Sequence, residues 1–276
     1  MSSRTMRTLL SLLLLAFLAV AGGCGGGSSP EGEGVATADR EGTDVGAMVR
    51  PDGVEGSSAT PEEDVEPGAE AGEAGHDRAR VIFLGTSLTE GFGLEAPDSQ
   101  AWPHRIEELA RDAGIQGLEM VNAGLAGETS AAGARRISWI LRAEPDLLIV
   151  ELGANDGLRG IPVEEMERNL TRLLDEVAAD APGTAVALVR MEAPPNMGES
   201  YTAEFREAFE RVVRDREVVL LPFILDGVAG DPALNLPDGI HPTAEGHALM
   251  AANVWDALRP LLEEVASTQA GSGTPP

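Results

Sequence analysis

The stretch Val81–Glu90, VIFLGTSLTE, passes directly from a run of apolar residues into a turn that carries three hydroxyl side chains. The apolar run is typical of a strand buried on both faces, and Gly85 ends it. Thr86, Ser87 and Thr89 then supply the hydroxyls. A serine at the end of a buried strand is either the N-cap of the next helix or a nucleophile at the rim of a sheet. The residues that end the other strands distinguish these two interpretations.

Strand-like and helix-like runs alternate through the rest of the chain. The predicted strands are at 80–85, 118–124, 146–156, 184–190 and 217–223. Helical spacing of apolar residues covers 100–113, 128–143, 163–180, 200–216 and 242–265. Such alternation predicts parallel βαβ units with helices on both faces of the sheet. The predicted fold class is therefore α/β, a three-layer sandwich with a parallel five-stranded sheet, whose ligands bind beyond the carboxyl ends of the strands.

Polar residues of complementary chemistry follow these strands. Ser87 ends the first strand, Gly124 the second and Asn155 the third, while Asp238 and His241 lie in the loop before the last helix. His241 is the natural base for the Ser87 hydroxyl, and Asp238 can hold the imidazole in one tautomer. The backbone amides of Ser87 and Gly124 and the side-chain amide of Asn155 are candidate donors to a developing oxyanion. Their joint occurrence at one rim predicts an acyl-transfer site.

Four sequence blocks in this order carry a resemblance to a known family. They are GTSLTEG (85–91), NAGLAG (122–127), GAND (153–156) and DGIHP (238–242). They resemble the blocks of the SGNH (GDSL-type) hydrolases, most closely the branch of arylesterases, thioesterase-I-like and lysophospholipase-like enzymes. The resemblance covers roughly residues 80–265, which is essentially the whole domain expected to fold.

The resemblance implies a flavodoxin-like SGNH hydrolase fold and a role for each rim residue. Ser87 would be the nucleophile, with Asp238 and His241 completing a catalytic triad. The oxyanion hole would consist of Ser87, Gly124 and Asn155. The family uses neither a metal nor an organic cofactor, so none is expected here.

Thr86 is the one departure from the family pattern, which usually has aspartate at this position. Because Asp238 already orients the histidine, we expect Thr86 to tune the turn rather than to disable the enzyme. The chain also lacks a GxSxG elbow, since Thr89 occupies the second glycine position, and this argues against the α/β-hydrolase fold proper.

Several other residues could be either structural or functional. His104 and His247 fall on helices away from any paired carboxylate and are interpreted as structural, and Trp139 and Trp255 as core or helix-packing residues. Asp156 is expected to shape the loop beside Asn155. Candidates for the wall of an acyl pocket are Glu128, Arg159 and Met191, and the resemblance implies that the PPNMG loop (194–198) covers the site.

The N-terminus has the pattern of an exported lipoprotein. Arg4 and Arg7 precede an apolar run from Leu9 to Ala21, which is too short to span a bilayer comfortably. The following AGGC sequence resembles a bacterial lipobox, so Cys24 is the expected lipidation site. The alternative is a plain secretory peptide with an incidental cysteine. Glycine after Cys24 favours the outer membrane or the periplasmic face as the location.

Composition limits the domain organisation and the partners. The chain has 20 arginines, no lysine and 46 acidic residues, for a formal net charge of −26, which is unsuited to binding nucleic acid. A single cysteine excludes an internal disulfide and a cysteine-built metal site. The predicted parts are a lipoprotein signal peptide (1–23), a disordered acidic Gly/Glu-rich tether (24–78), an SGNH hydrolase domain (79–268) and a disordered tail (269–276).

The predicted function is that of a lipid-anchored serine esterase. Ser87 would attack an aryl or acyl ester, and thioesters and lysophospholipids are further candidate substrates. Its partners would be a small-molecule ester or lipid substrate and a membrane, reached through the lipid on Cys24. One alternative is a carbohydrate O-deacetylase of the same fold. Another, of a different class, is a non-catalytic binding domain on a lipid tether.

Overall fold

The computed structural model describes residues 77–272. The predicted signal peptide, Cys24 and all but the last two residues of the predicted tether lie outside this part of the chain. Between residues 77 and 272, no helix is long and apolar enough to cross a membrane.

A parallel sheet forms the centre of the domain. Its strands are β1 (Ala79–Gly85), β2 (Leu118–Gly124), β3 (Leu147–Glu151), β4 (Ala185–Arg190) and β5 (Val218–Phe223). Their order is β2-β1-β3-β4-β5, and every adjacent pair is parallel. The predicted α/β class with a parallel five-stranded sheet is therefore confirmed. From β1 the chain continues to β2 on one side and then to β3, β4 and β5 on the other side. This change of direction places a crevice at the carboxyl ends of β1 and β3.

Helices cover both faces of this sheet. They are α1 (Ser87–Glu90), α2 (Pro97–Gln100), α3 (Trp102–Asp112), α4 (Ser130–Leu141), α5 (Ala154–Leu158), α6 (Val163–Asp180), α7 (Glu199–Val213) and α8 (Ala244–Ser272). The helices α4, α6 and α7 pack against one another in sequence, and α3 packs against α8. These two groups form the outer layers of the sandwich.

The core follows from the burial pattern of each element. All five residues of β3 are buried, because β3 is central and covered on both faces. The edge strand β2 buries only Leu118. Between sheet and helices, the fully buried Trp102 packs edge-on against Phe83, with ring centroids 5.0 Å apart. Trp102 thereby joins α3 to β1, and its indole N–H contacts Thr89 in the turn that follows β1 (86–91).

Two expectations about the outer parts of the domain were wrong. Trp139 is 64% exposed, because α4 turns Ile137 and Ile140 towards the core and Trp139 falls on its opposite face. Trp255, in contrast, packs against the core as predicted. The last helix continues to Ser272, beyond the predicted domain end at residue 268, and the Gln269 side chain donates to Asp146 (3.0 Å).

Candidate active site

Ser87, the candidate nucleophile, lies in a single helical turn directly after β1, the nucleophile turn (86–91). Thr86, not Ser87, is the N-cap of α1, since its hydroxyl accepts from the Leu88 backbone N–H (3.3 Å). Gly91 ends the turn in the left-handed conformation (φ 78°), and its N–H donates to the Ser87 carbonyl. The capping role is thus taken by the neighbouring threonine, which leaves the Ser87 side chain available to other partners.

The structure brings Ser87, His241 and Asp238 into one hydrogen-bonded chain. The Ser87 Oγ lies 3.0 Å from His241 Nε2. His241 Nδ1 lies 2.7 Å from Asp238 Oδ2. With its proton on Nδ1, the imidazole donates to Asp238 and accepts the Ser87 hydroxyl at Nε2. This is the arrangement that the sequence predicts for a nucleophile, its base and the acid that orients the base.

Asp238 is fixed by its own loop as well as by the histidine. Its Oδ1 accepts from the backbone N–H groups of Ile240 and His241, each at 3.0 Å. The hydrogen bond from the His241 side chain, helped by those two backbone donors, lowers the pKa of Asp238 to about 2. The carboxylate therefore stays ionised through the pH range in which histidine titrates.

A pocket of about 470 Å³ opens beside Ser87, and its wall is mainly apolar. The larger apolar side chains that line it are Leu88, Phe92, Leu158, Met191, Phe223, Leu225 and Ile240. Pro194 and Pro195 of the PPNMG loop also line it. The pocket can accept an alkyl or aryl group next to the serine hydroxyl.

The predictions for the pocket wall were partly right. Met191 lines the pocket as expected, but Glu128 and Arg159 do not. Glu128 is buried in an ion pair with Arg136. Arg159 donates to the Gly127 carbonyl at 3.0 Å. These charged side chains hold neighbouring segments together instead of lining the pocket.

Phe92 is a pocket residue that the sequence analysis missed. Its ring packs against the imidazole of His241, with centroids 4.7 Å apart at an angle of 44°. It follows the left-handed Gly91, so the end of the nucleophile turn also positions this aromatic ring. An aromatic residue immediately after the turn was the only local signal for it.

The candidate oxyanion donors differ in their surroundings. Ser87 and Asn155 line the pocket, whereas Gly124 does not. One N–H of Asn155 donates to the Glu128 carbonyl (2.9 Å), which fixes the amide and leaves its second N–H uncommitted. The Gly124 N–H donates to the Asn122 side chain at 2.9 Å. Gly124 therefore remains a predicted donor, and its amide would have to exchange that partner for an oxyanion.

Gly124 also has a packing role. A β-carbon at this position would overlap the backbone of Glu90, at the end of α1. Only glycine allows the end of β2 to approach the nucleophile turn this closely. The Asn122 side chain completes the contact by donating to the Thr89 carbonyl at 2.7 Å.

Asp156 connects the helix after β3 to the start of α4. Its carboxylate accepts from the Ser130 backbone N–H (2.8 Å) and the Ser130 hydroxyl (2.5 Å). Burial raises its pKa, and the hydrogen bonds from Ser130 oppose that increase. The residue holds α5, the helical turn that carries Asn155, against the start of α4, which agrees with the expectation that it shapes this region.

The two other histidines of the domain have different environments. His247 is buried, and its Nδ1 accepts from the Trp102 backbone N–H at 3.2 Å. Burial lowers the pKa of His247 to about 4. The expectation that His104 lies away from carboxylates was wrong, because Glu107 and Glu108 of its own helix lie 3.4 and 3.7 Å from its ring nitrogens.

Glu151 is a buried acid that the sequence analysis did not single out. It ends β3 and is 0% exposed. Burial raises its pKa to about 7, against the opposing effect of hydrogen bonds from Thr86 and Thr89. Its position within an apolar strand gave no local sign that its partners would be residues of the nucleophile turn.

A family model and several known proteins are similar to this chain. A family model described as the GDSL-like Lipase/Acylhydrolase family matches residues 83–249. The chain is 34% identical to Esterase TesA of Pseudomonas aeruginosa over 183 residues, which are 66% of this chain and 89% of that protein. It is 31% identical to an arylesterase of Vibrio mimicus over 180 residues, 65% of this chain and 88% of that protein. Against thioesterase 1/protease 1/lysophospholipase L1 of Escherichia coli the identity is 32% over 183 residues, 66% of this chain and 84% of that protein.

Solved structures give the same result. The crystal structure of TesA matches with a TM-score of 0.61 at 34% identity, over 66% of this chain and 99% of that one. The psychrotrophic esterase EstA of Pseudoalteromonas sp. matches with a TM-score of 0.60 at 32% identity, over 66% of this chain and 98% of that one. With the family match spanning more than half of the sequence, the chain belongs to the GDSL-like lipase/acylhydrolase family and is a hydrolase acting on ester bonds.

Proposed function

We propose that the protein is a serine carboxylesterase that forms an acyl-enzyme on Ser87. The observation that carries the proposal is the continuous hydrogen-bonded chain from Ser87 through His241 to Asp238. As Ser87 Oγ attacks the ester carbonyl, His241 Nε2 takes its proton. The ionised Asp238 then stabilises the imidazolium and keeps it oriented.

The negative charge on the carbonyl oxygen would be held by the predicted oxyanion donors. These are the backbone N–H groups of Ser87 and Gly124 and the second side-chain N–H of Asn155. His241 returns its proton to the departing alcohol as the carbon–oxygen bond breaks. Water then attacks the acyl-enzyme, again with His241 as base, and releases the acid and the free serine.

The preferred substrates in this proposal are esters of alkyl or aryl acids. The apolar wall formed by Phe92, Leu158 and Ile240 favours burial of a hydrocarbon group at about 25 cal/mol per Å². It offers little to bind the hydroxyl groups of a sugar, which argues against the carbohydrate O-deacetylase alternative. Release of acetate from acetylated polysaccharide, faster than hydrolysis of p-nitrophenyl butyrate, would favour that alternative.

The direct test is hydrolysis of p-nitrophenyl acetate and butyrate by the purified protein and by its Ser87→Ala variant. We expect the substitution to reduce kcat by at least about 10⁴-fold. A fluorophosphonate probe should label the wild-type protein and not the variant, which also tests the non-catalytic alternative. Activity that survives Ser87→Ala would refute the assignment.

We also propose that the protein is an exported lipoprotein anchored through Cys24. Support comes from the sequence alone: the basic start, the short apolar run and the lipobox-like AGGC. Mass spectrometry of the mature N-terminus should find a lipid-modified Cys24. An unmodified start, or a start at another residue, would contradict the proposal.

A further inference from the structure

Glu151 lies directly behind the nucleophile turn and outside the substrate pocket. Glu151 is the last residue of β3, and Gly85, the last residue of β1, is its partner in the sheet. A β-carbon on Gly85 would lie 2.7 Å from Glu151 Oε2. Glycine at this position is what allows a carboxylate to reach the backbone of the turn. Glu151 does not line the pocket, so any effect that it has on catalysis must act through other residues.

Three donors from the turn converge on this carboxylate. Glu151 Oε2 accepts from the Thr86 backbone N–H (2.9 Å), the Thr86 hydroxyl (3.0 Å) and the Thr89 hydroxyl (2.8 Å). The two hydroxyls receive hydrogen bonds of their own, from Leu88 N–H and from the Trp102 indole N–H, each at 3.3 Å. Each threonine hydroxyl hydrogen is therefore directed at Glu151, whose Oε2 accepts all three hydrogen bonds.

This arrangement holds the turn on both sides of Ser87. Thr86 precedes the nucleophile and Thr89 follows it, while α1 itself has only four residues. A helix this short does not persist through its own hydrogen bonds. The position of Ser87 Oγ relative to His241 must therefore come from anchors outside α1, and Glu151 supplies three of them.

We propose that Glu151 is a positioning residue, whose carboxylate holds Thr86 and Thr89 so that Ser87 stays aligned with its base. This inference rests on the proposed nucleophilic role of Ser87. It also gives the departure at Thr86 a function, because a threonine can donate a hydrogen bond to Glu151. The family's usual aspartate would bring a second carboxylate to the same place, and such a pair must share a proton.

The first test is Glu151→Gln, which keeps the shape of the side chain but replaces the charged acceptor by a neutral amide and puts an NH2 group at the Oε1 position, 3.1 Å from the Thr86 hydroxyl. We expect kcat for p-nitrophenyl butyrate to fall by about 10- to 100-fold. A displacement of the nucleophile by about 1 Å can lower the rate by up to about 100-fold. KM should change less than about twofold, since Glu151 itself does not line the pocket and none of its apolar side chains is replaced. The rate of labelling by a fluorophosphonate should fall in parallel with kcat, because it reports the reactivity of Ser87 directly.

A matched pair at Thr89 provides an independent test. Thr89→Val removes the hydroxyl at constant shape and should lower kcat and the labelling rate, whereas Thr89→Ser keeps the hydroxyl and should restore most of both. Combined with Glu151→Gln, Thr89→Val should cause a smaller loss than the product of the two single losses, since both substitutions act on the same hydrogen bond. If Glu151→Gln does not fold, as judged by circular dichroism, the Thr89 pair decides the question.

The outcomes separate this inference from the proposed function. Equal labelling rates for folded Glu151→Gln and wild type would overturn the positioning role and leave Ser87 as the nucleophile. Equal loss in Thr89→Val and Thr89→Ser, or losses that multiply in the double variant, would also overturn it. Failure of the proposed function is different: the wild type would not be labelled at all, or Ser87→Ala would remain active.

Discussion

The buried His247 makes a specific prediction about acid stability. Its Nδ1 accepts from the Trp102 N–H, so its proton must be on Nε2, which has no hydrogen-bond partner among the described residues. Burial, together with the positive charge of Arg105, lowers its pKa from 6.5 to about 4. His247→Asn should keep an acceptor near Trp102 N–H and remove the titration.

The sign follows from proton binding in the two states. Between pH 6.5 and 4 the unfolded chain binds a proton at His247 that the folded protein does not, so the folded state loses stability as pH falls. A difference of 1 in pKa is worth about 1.4 kcal/mol, which gives a total loss of roughly 3 kcal/mol. Most of it, roughly 2 to 3 kcal/mol, should develop between pH 7.5 and 4.5.

The assay is urea unfolding of the wild type and of His247→Asn at pH 7.5 and pH 4.5. The free energy of unfolding of the wild type should fall by roughly 2 to 3 kcal/mol more than that of the variant. The raised pKa values of Glu151 and Asp156 act in the opposite direction, but they do so in both proteins and cancel in the comparison. Losses that agree within about 0.5 kcal/mol would show that His247 is not the acid-sensitive group.

Three further substitutions test other parts of the structure. Asp238→Asn should lower kcat/KM for p-nitrophenyl butyrate by about 10⁴-fold. An amide N–H facing Nδ1 of His241 favours the tautomer that cannot accept the Ser87 proton. Retention of a tenth of the activity would contradict this prediction. The activity of Thr86→Asp, relative to that of wild type, should decline from pH 6 to pH 9, because the introduced carboxylate and that of Glu151 lose the proton that they share. An unchanged pH profile would contradict this pairing. Trp139→Ala should change the free energy of unfolding in urea by less than about 0.5 kcal/mol, since its side chain is 64% exposed, and a larger loss would indicate packing that its exposure does not reveal.

The sheet was predictable because its strands are continuous apolar runs that end in small or polar residues. The weakest boundary was that of β3, predicted at 146–156 but ending at Glu151. Beyond it, Gly153 adopts φ 110° as the N-cap of α5. The helical turn that carries Asn155 therefore begins within what the sequence presents as one run. Local pattern alone did not separate the strand from this turn.

The triad was predictable because each residue lies at a strand end or in the loop before the last helix. Glu151 was not, because its partners Thr86 and Thr89 are 65 and 62 residues away in sequence and no local spacing connects them. Trp139 was assigned to the interior from its residue type, whereas the phase of α4 determines its exposure. The pocket wall is assembled from several loops, so its membership depends on tertiary structure.

The separation of Ser87 from His241 has a consequence for biosynthesis. In the proposed mechanism, the nucleophile lies in the first turn of the described domain, and its base follows 154 residues later. A ribosome therefore completes β1 and α1 long before the chain contains a group able to activate the serine. His241 is also followed by α8, which packs against α3 and the sheet. In the proposed mechanism, the nascent polypeptide therefore lacks hydrolytic activity until residue 241 has been translated and α8 has packed against α3 and β1.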